Sequence, residues 1–132
     1  MKKGKSEKTK SEKTKTMPKS IVSELCMNFS IRIVRFYKYL TDEKKVFILS
    51  KQLLRSGTSI GANVFEAEFA QSKPDFVNKM SIALKEANET QYWLELLYKS
   101  EIIDEKAYIS LDNDAKQITG TLVKIINSSK NK

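Results

Sequence analysis

Four segments of the chain carry apolar side chains at alternating steps of three and four residues. Because an α-helix turns once every 3.6 residues, that spacing places each set on one stripe of a helix. The stripes are Val22–Leu40, Val46–Ala67, Phe76–Leu97 and Tyr108–Ile125. Long helices joined by short connections pack most simply as neighbours that run in opposite directions. The pattern therefore predicts an all-α fold, an antiparallel up-and-down four-helix bundle.

The predicted helix boundaries come from capping signals. The run Ser72-Lys73-Pro74-Asp75 is a capping box with proline in the first turn, and it opens the third helix. The side chain of Asp104 can cap the fourth helix, and the side chain of Thr41 or Asp42 can cap the second helix. The predicted helices span about 20–40, 42–70, 74–100 and 104–128.

Residues 53–67, LLRSGTSIGANVFEA, place polar residues and glycine in the middle of the second apolar stripe. Ser, Gly and Asn favour turns, so one interpretation breaks the chain within 56–63. The apolar period continues through the stretch, however, and Gly57 and Gly61 stand one helical turn apart. We therefore predict one continuous helix whose glycines let a neighbouring helix approach closely.

Arginine and carboxylates on facing helices predict a structural polar network. Arg55 lies on the second helix, and a buried guanidinium is normally matched with a carboxylate. We predict that Arg55 pairs first with Glu89 and second with Glu66, with Ser59 and Asn63 in the same network. Removing one partner of this pair would leave an unpaired charge and is predicted to cost about 3–5 kcal/mol.

The positive charge is concentrated at the beginning of the chain. The formal net charge is +8, and residues 1–19 hold eight lysines and two glutamates, a net +6. Residues 2–16 contain no large apolar side chain that could be buried to offset the entropy of ordering, which predicts a disordered basic tail over 1–19. The tail is either a phosphate-contacting arm or a solubilising extension, and its glutamates favour the latter. One domain is predicted over 20–132.

The composition argues against most catalytic sites. The chain has no histidine and one cysteine, which excludes a Ser-His-Asp triad, a Cys/His zinc site and an internal disulfide. Glu66, Glu86 and Glu89 lack the Glu-x-x-His pairs of di-iron bundles. We predict a non-enzymatic protein without metal or cofactor. The absence of disulfides fits a reducing cytoplasm, and no apolar run is long enough to span a membrane.

Two surface features indicate partners. A set of basic residues forms a candidate nucleic-acid-binding surface: Arg32, Arg35, Lys38, Lys44, Lys45 and Lys51. A solvated helix face is the simpler interpretation of Arg32, Arg35 and Lys38, which lie off the apolar stripe of the first helix. A second set of apolar residues lies outside the four stripes and indicates a subunit interface. Its members are Phe47, Leu54, Phe65, Phe69, Leu84 and Tyr98.

The residues of the second and third helices resemble a known family, the four-helix-bundle proteins encoded in intervening sequences of bacterial 23S ribosomal RNA genes. The matching residues of the second helix are Arg55, Ser56, Ser59, Ile60, Asn63, Glu66 and Ala67. Those of the third helix are Lys73, Asp75, Phe76, Ile82, Ala83, Glu89, Trp93 and Leu94. The resemblance covers about residues 20–128. Ala67 stands where the family commonly has glycine, and the basic tail lies outside the pattern.

The resemblance implies a ring-like homo-oligomer, commonly a pentamer, that binds ribosomal RNA or another nucleic acid. Similar proteins include the accessory variability determinant of diversity-generating retroelements, which works beside a reverse transcriptase. The family has no agreed catalytic residues, and none are transferred. The predicted function is thus a non-enzymatic, RNA-binding accessory oligomer. The alternative is a protein-binding scaffold without a nucleic-acid role.

Overall fold

The computed structural model describes residues 20–131, and the predicted basic tail over 1–19 lies outside them. Four α-helices make up most of this part of the chain. They are α1 (Ile21–Asp42), α2 (Ile48–Ala67), α3 (Lys73–Lys99) and α4 (Glu105–Lys130). Each helix packs against the next one, and α1 also contacts α4, so the four surround one core. The prediction of an all-α four-helix bundle is confirmed.

Three helices begin at residues whose side chains satisfy free backbone N–H groups. The Ser72 hydroxyl accepts a hydrogen bond from the N–H of Asp75 at 3.2 Å, with Pro74 in the first turn of α3. Asp104 accepts one from Ala107 at 2.8 Å and starts α4. Ser20 does the same for α1. The caps predicted at Ser72 and Asp104 are confirmed.

The connection between α1 and α2 differs from the prediction. Helix α1 continues through Asp42, and α2 begins at Ile48 instead of near residue 42. The Thr41 hydroxyl lies 3.1 Å from the Tyr37 and Lys38 carbonyl oxygens, so it bonds within α1 and does not cap α2. The residues that follow the apolar stripe of α1 favour a helix locally. Because α1 and α2 run in opposite directions, the chain between them must nevertheless leave the helical conformation in order to reverse.

That reversal is made by residues 43–47. Lys45 adopts a left-handed backbone with φ of 58°, and the N–H of Val46 donates to the carbonyl oxygen of Leu40 at 2.8 Å. Phe47, which precedes α2, provides no side-chain cap. Helix α2 ends at Ala67, three residues before the predicted end near residue 70.

The glycines of α2 lie against α1, and the helix passes through them without a turn. A Cβ placed on Gly57 would lie 3.0 Å from two side-chain carbons of Ile33. A Cβ on Gly61 would lie 3.3 Å from the Cβ of Cys26. The absence of side chains at both positions thus permits the close approach of α1. The prediction of a continuous helix is confirmed over Ile48–Ala67.

The core includes polar side chains of the α2–α3 contact. Ser56 and Thr90 are both buried, and their hydroxyl oxygens lie 3.0 Å apart. The Thr90 hydroxyl also lies 2.8 Å from the carbonyl oxygen of Glu86. These bonds satisfy polar groups that would otherwise be costly to bury. The pair therefore joins the two helices at a defined register without large side chains.

Candidate functional site

Arg32, the first member of the candidate basic surface, is used in joining α1 to α4. Its guanidinium forms an ion pair with Asp114 at 2.5 Å. It also donates to the hydroxyl of Ser110 at 2.8 Å and to that residue's carbonyl oxygen at 3.4 Å. Arg32 is only partly exposed, and both terminal nitrogens of its guanidinium already have partners. It is therefore the member least free to contact a ligand.

The other five basic residues are exposed and lie towards the end of the bundle where α1 joins α2. We call them the basic end: Arg35, Lys38, Lys44, Lys45 and Lys51. Within residues 20–131 none of them forms a salt bridge. Two carboxylates, of Asp42 and Glu43, lie in the same stretch, so residues 35–51 carry a net charge of +3.

Backbone hydrogen bonds hold the α1–α2 connection against the end of α1. The N–H groups of Glu43 and Lys44 both donate to the carbonyl oxygen of Tyr39, at 2.9 and 3.3 Å. With the Val46 bond to Leu40, these contacts restrain the backbone that carries Lys44 and Lys45. The two ammonium groups are thus presented from an ordered connection.

An aromatic side chain beside the basic end was not among the predicted site residues. Tyr39 is 44% exposed, and its ring stacks on that of Phe36 with centroids 5.8 Å apart. Tyr39, Phe36 and Arg35 line a shallow recess of about 290 Å³ together with α4. Exposed aromatic rings beside cations are the usual platforms for nucleic-acid bases. The sequence signal for it is the run Arg35-Phe36-Tyr37-Lys38-Tyr39.

The predicted polar network lies on the outer surface of the α2–α3 contact. The Arg55 guanidinium pairs with Glu89 and, at 3.2 Å, with Glu86. The indole N–H of Trp93 donates to the same carboxylate oxygen of Glu89 at 2.9 Å. The Arg55 side chain is 49% exposed, so this is a partly solvated ion-pair cluster and not a buried one.

Glu66, Ser59 and Asn63 do not join Arg55 and Glu89 across the helices. Glu66 forms an ion pair with Lys79 at 3.2 Å. Ser59 and Asn63 bond within α2: the Ser59 hydroxyl lies 2.6 Å from the Arg55 carbonyl oxygen, and the Asn63 amide donates to Ser59 at 2.9 Å. Glu66 is three helical turns from Arg55, about 16 Å along the axis, which is too far for a pair.

The surroundings of Glu89 favour its ionised form. The hydrogen bond from Trp93, followed by the one from Arg55, holds the pKa of the Glu89 carboxyl below its ordinary value. A glutamate whose pKa is lower in the folded protein stabilises the fold above its ordinary pKa. That contribution is lost as the pH falls through the lowered pKa.

Arg55→Ala is expected to lower the free energy of unfolding by about 1 kcal/mol at pH 7, because the pairs it breaks are partly solvated. Glu89→Gln should reduce the loss of stability between neutral and acidic pH, since the shifted carboxyl is gone. Urea denaturation at several pH values measures both effects. Lys99→Ala, which breaks an exposed pair with Glu95, is the control and should leave the stability unchanged. Equal effects of the Arg55 and Lys99 variants would contradict the role given to the cluster.

The remaining reactive side chains of residues 20–131 do not form a recognisable metal or thiol site. Among residues 20–131 no three His, Cys, Asp or Glu side chains converge. Cys26 is buried against Gly61, and burial raises the pKa of its thiol to about 12. The thiol is therefore protonated at neutral pH and serves in packing. None of the helices in this part of the chain is sufficiently long and apolar to cross a membrane.

Comparison with known proteins places this arrangement in a family. Residues 18–124 match the family described as 23S rRNA-intervening sequence protein. The chain belongs to that family. The match includes the whole of α1, α2 and α3, and so both the basic end and the Arg55 cluster.

A solved relative has the same fold. It is a protein with unknown function from the S23 ribosomal protein family of Bacteroides thetaiotaomicron, and it is 56% identical to this chain. The similarity covers 80% of this chain and 98% of the relative, with a TM-score of 0.80. No curated protein matches the chain.

Proposed function

We propose that this 23S rRNA-intervening sequence protein is a non-enzymatic RNA-binding accessory factor that contacts phosphates through the basic end. The observation that carries the proposal is the gathering of five exposed cations, none in a salt bridge within residues 20–131, around the α1–α2 connection. The description of the family mentions 23S rRNA, which makes a 23S rRNA fragment the first RNA to test.

Local charge matters here more than total charge. Residues 20–131 contain 15 basic and 14 acidic side chains, so the bundle as a whole attracts a polyanion only weakly. Lysines and arginines that are not neutralised by carboxylates can replace counterions on the phosphate backbone. Tyr39 beside Arg35 adds an aromatic surface on which an unpaired base can stack. Assembly into a ring would repeat this surface in every subunit.

The proposal is tested by a matched pair of triple variants in the full chain. Lys44→Gln/Lys45→Gln/Lys51→Gln removes three charges from the basic end. We expect the affinity for a single-stranded 23S rRNA fragment to fall about tenfold or more at low salt. The slope of log affinity against log salt should fall by about 2, since each phosphate contact contributes about 0.7.

The control is Lys85→Gln/Lys124→Gln/Lys130→Gln, which removes three exposed charges elsewhere on the bundle. It should keep the salt slope of the unmodified chain, because those lysines lie outside the basic end. Equal losses of RNA affinity in the two triple variants would show that the RNA does not bind preferentially at the basic end. No RNA binding by the intact chain at low salt would refute the proposal as a whole.

A protein-binding or scaffolding oligomer is the second candidate, and the exposed apolar side chains favour it. Met27, Phe65 and Phe69 are 57, 60 and 71% exposed, on the α1–α2 side and at the end of α2. Met27 and Phe65 line an open groove of about 620 Å³ between these helices. Phe47 is also exposed. The other surplus apolar residues, Leu54, Leu84 and Tyr98, pack partly buried against the core.

Sedimentation velocity tests this interface. The intact chain should sediment as a homo-oligomer, with the pentamer as the expected size. Phe65→Glu/Phe69→Glu should shift it towards the monomer, because two charges would enter the interface, and should leave the helical circular dichroism unchanged. Tyr92→Glu, on exposed α3 surface, is the control and should not alter the assembly. A monomeric intact chain would exclude both the ring and the scaffold.

A further inference from the structure

Two exposed aromatic side chains stand on either side of the α1–α2 connection. Tyr39 lies in the last turn of α1 and is 44% exposed, and Phe47 directly precedes α2 and is 55% exposed. Neither belongs to the buried core. Both rings are therefore accessible to a partner at the end of the bundle that carries the basic end.

A backbone hydrogen bond holds the two aromatic residues near each other. The N–H of Val46 donates to the carbonyl oxygen of Leu40 at 2.8 Å, and these two residues are the chain neighbours of Phe47 and Tyr39. With standard backbone dimensions, the Cα atoms of Tyr39 and Phe47 lie within about 15 Å of each other. A nucleic-acid strand of several nucleotides is long enough to reach both.

Cations and aromatic rings alternate along this end of the bundle. Arg35 lies four residues before Tyr39, and Lys51 lies four residues after Phe47, so the members of each pair are one helical turn apart. Within residues 20–131 neither cation forms a salt bridge. Two further exposed lysines lie between the rings in the chain: Lys44 and Lys45.

Phe47 lies at the opposite end of α2 from Phe65 and Phe69. Phe65 is 18 residues further along the chain, about 27 Å along the helix axis. The groove that Met27 and Phe65 line does not include Phe47. The exposed ring of Phe47 is therefore a feature of the basic end and not of that groove.

Rings that alternate with cations match the chemistry of an unpaired nucleic-acid strand. The net charge of +3 over residues 35–51, with Asp42 and Glu43 included, attracts phosphates. The faces of unpaired bases are free to stack on aromatic side chains, and this stacking tolerates any base. In a duplex the bases are stacked on one another, so a duplex offers the cations its phosphates but offers the rings no free base.

We propose that the basic end selects unpaired RNA over duplex RNA, and that Tyr39 and Phe47 set this preference by stacking on bases. The cations between the rings contact the phosphates that join those bases. This preference rests on the RNA-binding function proposed above, and it adds the class of RNA and the two residues that select it.

Three RNAs of equal length test the preference with the full chain. They are an oligouridine, the same backbone with abasic sites in place of the bases, and a duplex of oligouridine with oligoadenine. We expect the oligouridine to bind about tenfold more tightly than either of the others at the same salt concentration, because only its bases can stack. Phosphate contacts alone would favour the duplex, since its charge density is higher.

The outcomes separate this preference from RNA binding itself. Similar affinities for the oligouridine and its abasic counterpart, or tighter binding of the duplex, would overturn the preference and leave the phosphate contacts in place. No binding of any of the three RNAs would refute the RNA-binding function and the preference with it.

A double variant assigns the preference to the two rings. Tyr39→Leu/Phe47→Leu keeps every cation and should weaken oligouridine binding about tenfold, with duplex affinity unchanged. The slope of log affinity against log salt should also stay unchanged, in contrast to the lysine triple variant, because no phosphate contact is lost. Tyr39→Phe keeps the ring and should bind as the parent does. Tyr92→Leu removes a ring that is 58% exposed on α3 and is the matched control.

Two results with the double variant would overturn the proposal. One is unchanged affinity for oligouridine. The other is an equal loss of affinity for oligouridine and duplex, which would mean that the rings support the shape of the basic end and do not stack on bases. Phe47→Leu alone repeats the measurement without disturbing the contact of Tyr39 with Phe36. Circular dichroism and sedimentation velocity should show the helix content and assembly of the parent chain in every variant, and altered assembly without altered RNA affinity would place the rings in a protein contact instead.

Discussion

Phe29→Ala is expected to lower the free energy of unfolding by about 3–5 kcal/mol, the largest effect of any substitution considered for this chain. Phe29 is 1% exposed and is among the largest fully buried side chains of α1. Its removal loses the transfer free energy of the ring and leaves a cavity that the four packed helices fill only in part. Urea denaturation measures the change, and an unchanged slope of the unfolding free energy with urea concentration would show that the variant exposes the same surface on unfolding as the parent chain.

Phe65→Ala is the matched control for that result. The same side chain is removed, but from a position on α2 that is 60% exposed. At protein concentrations below those that support assembly, its stability should stay within about 0.5 kcal/mol of the parent chain. Similar losses in the Phe29 and Phe65 variants would contradict the assignment of one residue to the core and the other to the outer surface.

Gly57→Val is expected to cost about 2–3 kcal/mol, because it forces extra atoms into the α1–α2 contact. A Cβ at Gly57 would already lie 3.0 Å from two carbons of Ile33, whose side chain is completely buried and cannot move into solvent. The γ-methyl groups of valine need still more space. The two helices must therefore separate or Ile33 must leave its preferred conformation.

Gly120→Val provides the same substitution without the crowding. Gly120 lies within α4, and a Cβ there would have no neighbouring atom within 4 Å. Its effect should remain within about 0.5 kcal/mol, since valine does not fit a helix worse than glycine does. Adding Ile33→Ala to Gly57→Val should make the pair less destabilising than the sum of the single changes. Simple additivity would show that Ile33 is not the obstructing group. Thermal or urea unfolding of the four variants decides this.

The ion pairs of Arg55 with Glu86 and Glu89 show which contacts could be predicted from the sequence and which could not. Helical periodicity put Arg55 and Glu89 on facing helices, and the two do meet. Glu66 was the second predicted partner of Arg55, but it lies on the same helix and pairs with Lys79 on α3. Periodicity indicates the face on which a residue lies, but two residues of one helix pair only when they are about one turn apart, and Glu66 is three turns from Arg55.

The basic residues illustrate the same limit. Their positions in the sequence gave no reason to separate Arg32 from Arg35 and Lys38, since all three lie off the apolar stripe of α1. The packing of α4 against α1 brings Asp114 and Ser110 to Arg32, whereas Arg35 and Lys38 remain exposed. The contact joins residues about 80 positions apart, and no local pattern contains that information.

The number of helices, their buried faces and two of their caps were determined by the sequence alone. These features depend on the 3.6-residue period and on side chains that bond to backbone groups three positions away, so neighbouring residues specify them. The tertiary structure decided where α1 stops and α2 begins, which cation is neutralised, and which side chain lies against each glycine. Those outcomes depend on the packing of segments distant in the chain, because only packing brings their side chains within contact distance.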